Sequence, residues 1–395
     1  MSLIVPGEST TVLPVGRFGK IYQIEAPRAP LNSAYRLVLP HRYLFPRTAI
    51  QRILNEEQPD LLEVADKYAI PYLAGLLRTS RLPGVNVRPT VVGMSHERMD
   101  ENVEAYLSGS GAAMAFCRWY MKWLYFPMFD HHITVSEHTA QELIEAARGH
   151  KVARGVWVEP MGVDCETFTP RRKAAAPRAQ MLRLLQGNEH SRVLFYAGRL
   201  VPEKNLPLLL EMMELLDPSV YRLAIAGSGI HLEYLQRECA RKKLWNVTFL
   251  GHIGDRETLA GYYANADVFV HPNPREPYGI GPLEAMSSGV PLVAPNAGGV
   301  TSYANASNAW LVDANASAFA NAVRAVQEDG PGRLRKIAAA RAIAETLSWP
   351  CVAERYLRLY RELGALTHGI RVSDAIEART WSTHGNVFGR EPRGL

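Results

Sequence analysis

Two cations near the carboxyl end of a predicted strand could hold a diphosphate. The apolar run 193–197 (VLFYA) ends at Gly198, and Arg199 and Lys204 follow it in the stretch AGRLVPEKN. A guanidinium fork and an ammonium group on one turn supply positive charge from two directions, which suits a diphosphate. Taken alone, the two residues are explained equally well as surface cations on a loop.

Two glutamates border a glycine-rich turn further along the chain. Glu276 precedes the turn in REPYGIGPLE, and we expect Glu284 in the first turn of the next helix, with Pro282 at its first position. The free N–H groups and the dipole of such a helix favour phosphate. One carboxylate can then face sugar hydroxyls while the other accepts hydrogen bonds from a ribose. A favourable interaction with the helix dipole would explain Glu284 alone, but not Glu276.

These segments resemble the retaining glycosyltransferases of family four, which have the GT-B fold. The matching pieces are AGRLVPEKN, IAGSG, VTFLG, VFVHPNPREPYGIGPLEAMSSGVPLVAPNAGG and EPMGVDCETF, and the Glu-x7-Glu pair is the hallmark of that family. The resemblance is strong over 158–299 and weaker upstream. It implies an α/β fold of the GT-B class, in which two Rossmann-like domains have parallel sheets facing across a cleft.

The resemblance also implies roles for individual residues. Arg199 and Lys204 would bind the donor diphosphate, whereas Glu284 would bind the ribose and Glu276 the donor sugar. The implied donor-binding residues are Gly198, Arg199, Lys204, Leu250, Gly251, Glu276, Gly279, Gly281, Pro282, Leu283 and Glu284. The implied catalytic residues are His96, Glu276, Arg199 and Lys204. One departure is Ser302, which stands where the family often has Glu after its Gly-Gly turn, so the role of that Glu is in doubt.

His96 follows a predicted strand in the first half of the chain. In the resembled family a His at this place contacts the donor sugar or helps to organise the reaction. The stretch SHERMDE looks most like a mannosyltransferase branch, which hints at GDP-mannose. A His hydrogen-bonded in a surface turn is the simpler alternative. Asp66 ends the preceding strand and either faces the same cleft or caps a helix.

The resemblance implies retention at the anomeric carbon. The acceptor side shows no carboxylate placed like the nucleophile of a retaining glycosidase. We therefore expect a front-face reaction, in which the leaving diphosphate helps to deprotonate the acceptor. Arg199, Lys204 and the backbone of 281–283 would stabilise the charge on that diphosphate. Because no Asp-x-Asp motif is present, we expect no metal and no cofactor, with the nucleotide diphosphate sugar as substrate.

The second half of the chain must position these donor residues. Predicted strands lie at 193–197, 221–226, 247–250, 266–271 and 291–294, with helical spacing at 206–215 and from 231 onward. Short β-rich runs separated by helices predict a parallel sheet with crossover helices. Ligands bind beyond the carboxyl ends of the strands in such sheets.

The first half is similar but less regular. It has predicted strands at 61–65, 90–94 and 133–135, and a closing helix is predicted at 352–363. We predict an N-terminal acceptor-side Rossmann-like domain over 1–170 and a linker over 171–190, which begins RRKAAAPRA. A nucleotide-sugar-binding Rossmann-like domain over 191–348, a helix over 349–365 and a flexible tail over 366–395 follow.

A long aromatic helix is predicted over 112–129 (AAMAFCRWYMKWLYFPMF). It could lie on a membrane surface. We favour packing of its aromatic side chains on a sheet, while Arg118 and Lys122 extend their charges to solvent.

Composition bounds the class of protein. Hydrophobic residues make up 47% and charged residues 21% of the 395 residues, as in ordinary globular proteins of two domains. The net charge of +5 suits an anionic ligand or membrane surface. No dense basic run has interleaved aromatics, which argues against nucleic acid. Four scattered cysteines give no zinc spacing or disulfide framework.

The expected location follows from the same features. No signal peptide and no apolar run long enough to span a bilayer is present in the sequence. We predict a cytoplasmic protein, with peripheral attachment at the inner face of the membrane as an open alternative. Its partners would be a nucleotide-sugar donor and an acceptor, lipid-linked or otherwise, that the sequence does not identify.

Two alternatives to a glycosyltransferase stay open on the residues alone. One is an epimerase or phosphorylase of the same fold, although the Glu-x7-Glu context argues against the epimerase. The other is a catalytically silent protein that binds a sugar nucleotide without turnover. Donor hydrolysis by the purified protein would separate an enzyme from a binding protein.

The start of the chain raises a further expectation. A doubly wound domain normally opens with a strand, a glycine-rich turn and a helix. Here a strand at 3–5 is followed by a polar stretch through Arg28, and Gly16 and Gly19 do not stand at a strand-to-helix junction. We expect the full product to carry a further segment of roughly thirty to forty residues, about one strand–loop–helix unit. The chain as given should then bind nucleotide but transfer sugar poorly.

Overall fold

The computed structural model describes residues 1–28, 36–107, 110–150, 155–328 and 330–367. Its strands are β1 (Ser2–Gly7), β2 (Thr11–Val15), β3 (Gly19–Glu25), β4 (Leu61–Val64), β5 (Thr90–Ser95), β6 (His131–Thr134), β7 (Val156–Val158), β8 (Arg192–Ala197), β9 (Tyr221–Ala226), β10 (Val247–Gly251), β11 (Val268–Val270), β12 (Leu292–Pro295) and β13 (Trp310–Val312). Its α-helices are α1 (His41–Leu44), α2 (Ala49–Glu57), α3 (Pro71–Arg78), α4 (Met99–Leu107), α5 (Gly111–Tyr120), α6 (Glu137–Ala147), α7 (Ala175–Leu184), α8 (Pro207–Glu214), α9 (Leu232–Lys242), α10 (Arg256–Asn265), α11 (Ile280–Ser287), α12 (Ala316–Glu328), α13 (Gly330–Thr346) and α14 (Trp349–Thr367). The tail predicted over 366–395 lies, from residue 368 onward, outside the described residues.

The strands from β8 to β13 form one parallel sheet in the order β10-β9-β8-β11-β12-β13. Its strands are short apolar runs, and β9 (YRLAIA) is buried at every position, as expected for a parallel sheet covered on both faces. Helices α8 to α11 cross over between successive strands. The predicted α/β fold with a parallel sheet is confirmed in this half, although β11 is shorter than the predicted 266–271.

Two apolar layers cover this sheet, because alternate residues of a strand point to opposite faces. Phe195 of β8 packs in one layer with Tyr263 of α10 and Leu283 of α11. Its neighbour Leu194 packs in the other layer with Leu209 of α8. All five side chains are buried. The packed helices fix the loops at the strand ends, where the predicted donor residues lie.

The first half of the chain contributes two smaller sheets. One has the order β4-β5-β6-β7, with β6 and β7 parallel. In the other, β3 pairs in parallel with β1 and antiparallel with β2. The stretch expected to be merely polar after β1 therefore contains two strands. In β3 the alternate residues Tyr22 and Ile24 are buried. Gly16, with φ of 58°, lies in the turn between β2 and β3.

The chain divides into two compact units. One comprises Met1–Val64, Tyr72–Val92 and the chain from Tyr356 onward. The other comprises Ala65–Pro71 and Gly93–Arg355, and so contains the six-stranded sheet. Every predicted donor residue and His96 belong to this second unit.

The long aromatic helix predicted over 112–129 is present in three parts. α5 continues as a π-helical turn, Met121–Tyr125, and then as a 3-10 turn, Phe126–Met128. Tyr120 and Tyr125 are buried, as expected for aromatics packed inside. Three other aromatics are exposed, so the expected packing of the aromatic side chains holds for only part of the helix. The exposed fractions are 58% for Phe116, 48% for Trp119 and 57% for Trp123.

The segment predicted as a linker is helical over much of its length. It opens in a 3-10 turn, Pro170–Arg172, and α7 occupies most of the rest. Arg178 of α7 is held by an ion pair with Asp267 at 2.6 Å, next to the first residue of β11. Its N–H groups also donate to backbone carbonyls, at Asn265 and Ser191. These contacts fasten α7 to the six-stranded sheet.

Candidate active site

The predicted donor residues converge where the strand order of the parallel sheet reverses. β8 connects through α8 to β9 on one side, whereas β11 connects through α11 to β12 on the other. The loops at the carboxyl ends of these two adjacent strands therefore turn away from each other and leave a crevice. Gly198 follows β8 and Glu276 follows β11, so both loops border this crevice.

Close backbone contacts hold the loop after β8. The N–H of Leu200 donates to the carbonyl of Ser228 at 2.9 Å, and the N–H of Gly198 donates to that of Ala226 at 3.0 Å. Gly227 has φ of 140°, and a Cβ there would lie 1.9 Å from the carbonyl oxygen of Gly198. Only glycine permits this approach and this conformation. The GSG turn of the motif therefore positions the AGRL loop.

Lys204 reaches from the loop after β8 to the loop after β11. It ends a 3-10 turn, Pro202–Lys204, and its Nζ contacts the two carboxylate oxygens of Glu276 at 2.9 Å and 2.7 Å. The adjacent Asn205 donates through Nδ2 to the carbonyl of Pro272 at 3.1 Å, which ties the same two loops together. The side chains of Lys204 and Glu276 are only 15% and 11% exposed. The predicted diphosphate cation and the predicted sugar carboxylate thus form a largely buried ion pair.

Glu276 is held in its ionised form. Burial acts to raise its pKa, but the charge of Lys204 and the hydrogen bond from Asn273 help to outweigh burial, and the pKa lies below its ordinary value. The Asn273 Nδ2 donates to Glu276 Oε2 at 3.2 Å. The backbone of Glu276 is also fixed, since its carbonyl accepts from the N–H of Gly299 at 2.6 Å. The Gly-Gly turn of the motif thus supports this carboxylate.

His271 and Asn273 lie within the matching piece VFVHPNPREPYGIGPLE, but neither is among the predicted donor residues. His271 Nε2 lies 3.5 Å from Glu276 Oε2 and has no hydrogen-bond partner in the described part of the chain. Burial lowers the pKa of His271 to about 4, so that its ring is neutral near pH 7. A sequence signal for both residues exists, because they stand between a buried strand and Glu276 in VHPNPRE.

The helix after the glycine-rich turn starts two residues earlier than predicted. Gly279 is its N-cap with φ of 89°, and α11 runs from Ile280. This left-handed conformation favours glycine and ends the preceding loop there. Pro282 is therefore the third residue of α11 rather than the first, and Glu284 lies in its second turn. Burial raises the pKa of Glu284 to about 7.

The first turn of α11 lies against the end of β8. A Cβ at Gly281 would come 3.3 Å from the carbonyl oxygen of Ala197. Leu283 is buried in the apolar layer below. The free N–H groups at the start of α11 are thereby brought to the same crevice as Lys204.

Arg199 and the predicted base-binding residues have other contacts. The Arg199 side chain is 59% exposed, and its Nη2 is 3.5 Å from Glu203 Oε1. Gly251 ends β10 with φ of 72° and accepts from the N–H of Gly227 at 2.8 Å, while Leu250 packs on the apolar layer. The structure thus pairs Lys204 with Glu276, and Arg199 with Glu203.

His96 is exposed and directly follows β5. The backbone of the loop that carries His96 is fixed by a buried ion pair, in which Lys67 Nζ lies 2.7 Å from Glu142 Oε2. Lys67 also donates to the carbonyl of Glu97, and the other oxygen of Glu142 accepts from the N–H of Met99 at 2.8 Å, where α4 begins. Among the described residues, no hydrogen bond or ion pair joins His96 to the loops of the crevice.

Asp66 is not the N-cap of a helix, because α3 begins only at Pro71. Its carboxylate accepts from the N–H groups of Tyr68, Ala69 and Ile70, at 3.0, 2.7 and 2.8 Å. This network closes the turn that leads into α3.

Comparison with known proteins decides the family. Two family models match the chain, "Glycosyltransferase Family 4" over residues 12–167 and "Glycosyl transferases group 1" over 183–343. The GDP-mannose-dependent alpha-(1-6)-phosphatidylinositol dimannoside mannosyltransferase of Mycobacterium tuberculosis is 30% identical over 375 residues, which cover 94% of this chain and 89% of that relative. The chain belongs to glycosyltransferase family 4.

Further relatives of this family 4 enzyme agree. A GDP-mannose-dependent alpha-mannosyltransferase of Corynebacterium glutamicum is 24% identical, over 93% of this chain and 82% of that relative. The solved structure of sucrose-phosphate synthase from Thermosynechococcus elongatus superposes with a TM-score of 0.69 at 21% identity, covering 92% of this chain and 89% of that one. The GT-B fold implied by the motifs is confirmed.

The chain is therefore a glycosyltransferase that uses a nucleotide-sugar donor. The comparisons give no support to an epimerase or a silent binding protein. Within the described residues, no helix has the length and apolar character needed to cross a membrane. The same part of the chain has no group of three or more His, Cys, Asp or Glu residues that could hold a metal ion.

Proposed function

We propose that this family 4 enzyme transfers mannose from GDP-mannose to a glycolipid acceptor. Two relatives that match nearly the whole chain are, by name, GDP-mannose-dependent mannosyltransferases, and the name of one of them specifies phosphatidylinositol dimannoside. The observation that carries the proposal is the Lys204–Glu276 pair at the crevice between β8 and β11. It puts a cation and a carboxylate side by side where a diphosphate and its attached sugar would meet.

The donor would change the partner of Lys204. Phosphate oxygens compete with Glu276 for the ammonium group, because both are anions within reach of the same Nζ. Once Lys204 binds the diphosphate, the Glu276 carboxylate can accept hydrogen bonds from the hydroxyls of the mannose. Because the His271 ring beside Glu276 is neutral, it adds no positive charge that would compete with the mannose hydroxyls for the carboxylate.

Departure of the diphosphate is the step that the site would assist. Lys204 and the N–H groups at the start of α11 supply positive charge where negative charge develops on the leaving group. Arg199, which is exposed, would close on the diphosphate from the solvent side. As the bond between the anomeric carbon and the diphosphate breaks, the acceptor oxygen bonds to that carbon from the same face and gives its proton to the departing diphosphate, so the anomeric configuration is retained. This cationic set replaces the charge of a metal ion, so transfer is metal-independent.

A donor screen followed by a transfer assay tests this proposal. GDP-mannose should raise the melting temperature of the protein more than UDP-glucose or ADP-glucose, because a ligand that binds only the folded state stabilises it. Transfer to a phosphatidylinositol mannoside should proceed in EDTA, and NMR should show an α-linked product. Selective stabilisation by UDP-glucose, loss of transfer in EDTA that magnesium restores, or a β-linked product would each contradict the corresponding part.

A further inference from the structure

α5 and the π-helical turn after it carry an exposed aromatic stripe, defined here as Phe116, Trp119 and Trp123. Spacings of three and four residues put these side chains on one side of a helix. Tyr120, whose ring stacks on that of Phe116 with centroids 6.3 Å apart, and Cys117 lie on the neighbouring part of the helix surface and are buried. The rings of Phe116 and Trp119 touch, with centroids 5.9 Å apart. The stripe is therefore a row of exposed aromatic side chains along one side of a helix whose buried residues are Cys117 and Tyr120.

The charged residues within α5 and the turn after it all have one sign. Arg118 is exposed beside it, and Lys122 Nζ lies 5.3 Å from the centroid of the Trp123 ring. The sequence contains no Asp or Glu between Glu104 and Asp130. A protein surface rarely exposes large aromatic rings together unless they contact something. Here the contact must accept apolar rings and positive charge on the same face.

We propose that the aromatic stripe is the surface by which this enzyme lies on an anionic lipid bilayer. Tryptophan favours the boundary between headgroups and acyl chains, because its ring is apolar and its N–H is polar. Arg118 and Lys122 would meet lipid phosphates at the same depth, while the buried side of α5 keeps the helix on the protein. A second copy of the chain would bring like charges together, and is therefore disfavoured.

This inference rests on the proposed function only in that a glycolipid acceptor would be met at such a surface. Binding to lipid itself requires neither donor nor turnover. Vesicle binding and mannose transfer can therefore be measured separately, and either can fail alone.

Vesicle flotation with the full chain tests the stripe. The wild type should float with vesicles of phosphatidylcholine and phosphatidylglycerol and much less with phosphatidylcholine alone. W119S/W123S and R118E/K122E should each bind the anionic vesicles about tenfold more weakly or worse, since one removes the apolar contact and the other reverses the charge. W245S is the matched control, because Trp245 is 55% exposed and lies elsewhere, stacked on Arg222. It should bind vesicles like the wild type.

Several results would overturn the proposal. They are equal vesicle binding by the wild type and both double variants, no vesicle binding by the wild type, or a dimer of the wild type that W119S/W123S abolishes while vesicle binding stays. Circular dichroism and GDP affinity should match the wild type in both double variants, and if one variant is misfolded the other decides. Vesicle binding through the stripe by a protein that transfers no mannose would leave this inference standing and remove the proposed function instead.

Discussion

Replacement of Lys204 by methionine would leave the Glu276 carboxylate buried without its cation. The two side chains are only 15% and 11% exposed, so water can replace little of the lost interaction. Removing one partner of a buried ion pair destabilises a protein by about 3–5 kcal/mol. We expect the lower end, about 3 kcal/mol, because Asn273 still donates to Glu276 and the carboxyl group can also take up a proton.

The same substitution changes how stability depends on pH. In the wild type the pKa of Glu276 in the folded protein is lowered. Its contribution to the free energy of unfolding is therefore present above the ordinary pKa of a glutamate and is lost as pH falls through the lowered pKa. Without Lys204, burial dominates and raises that pKa. The contribution is then present at low pH and is lost as pH rises through the raised value. The deficit of Lys204→Met against the wild type should therefore be larger at pH 8 than at pH 5.

Urea unfolding of the ligand-free chain at the two pH values measures this deficit, and calorimetry with GDP measures binding. The GDP affinity of Lys204→Met should fall by roughly 2–5 kcal/mol, as for loss of a desolvated charge contact. Arg241→Met is the control, because it breaks an exposed ion pair with Glu238. The Arg241 side chain is 65% exposed, so the substitution should change stability by less than about 1 kcal/mol. A Lys204→Met protein with the stability of the wild type at both pH values and with its GDP affinity would refute this account of the crevice.

Three further substitutions probe the surroundings of the pair. Glu284→Gln should raise the free energy of unfolding at pH 8 by up to about 3 kcal/mol. The reason is that the pKa of Glu284 in the folded protein is raised from 4.5 to about 7, and stability is lost as pH rises through that value. Urea unfolding curves at pH 4 and pH 8 check this, and no gain in stability at pH 8 would count against it. Arg199→Ala should weaken GDP binding, measured by calorimetry, but by less than Lys204→Met, and should leave the melting temperature unchanged because its side chain is 59% exposed; a larger effect than that of Lys204→Met would reverse the ranking. Lys67→Met should destabilise the protein by about 3–5 kcal/mol, since the Glu142 carboxylate is then buried without a cation, and an unchanged urea midpoint would show that the pair does not hold the His96 loop.

The donor half of the fold could be predicted because its signals are local. β9 is an apolar run interrupted only by Arg222 and followed by Gly227, and such a run between helical patterns has few other interpretations. The pairing of Lys204 with Glu276 could not be predicted in the same way. The motifs mark both residues, but their contact depends on how two loops that are 72 residues apart pack together. The role of His271 was not predicted although it stands close to Glu276 in the sequence, because a single His at the end of a strand looks like any core residue.

The orientation of the aromatic helix was the harder problem. The sequence FCRWYMKWLYF has large apolar residues on every side, so periodicity does not tell which side is buried. Burial of Tyr120 and exposure of Trp119 follow from contacts with distant parts of the chain. The period-2 signal of β2 and β3 is weak, because Pro14 lies within β2. Gly16 lies in the turn between the two strands, and Gly19 is the first residue of β3.

The central claim is that the crevice holding Lys204 and Glu276 binds GDP-mannose and delivers its mannose to a glycolipid. Single-turnover transfer of labelled mannose from GDP-mannose into extractable lipid, by the wild type and by Glu276→Gln, tests it most directly. The account predicts that the wild type transfers label, and that the variant is slower on the order of a hundredfold, as for loss of one preorganised electrostatic contact at the reacting centre. Its affinity for GDP should stay within about threefold, because Glu276 contacts the sugar rather than the nucleotide. Transfer by Glu276→Gln at the wild-type rate, or a wild type that transfers sugar from UDP-glucose but none from GDP-mannose, would contradict the account.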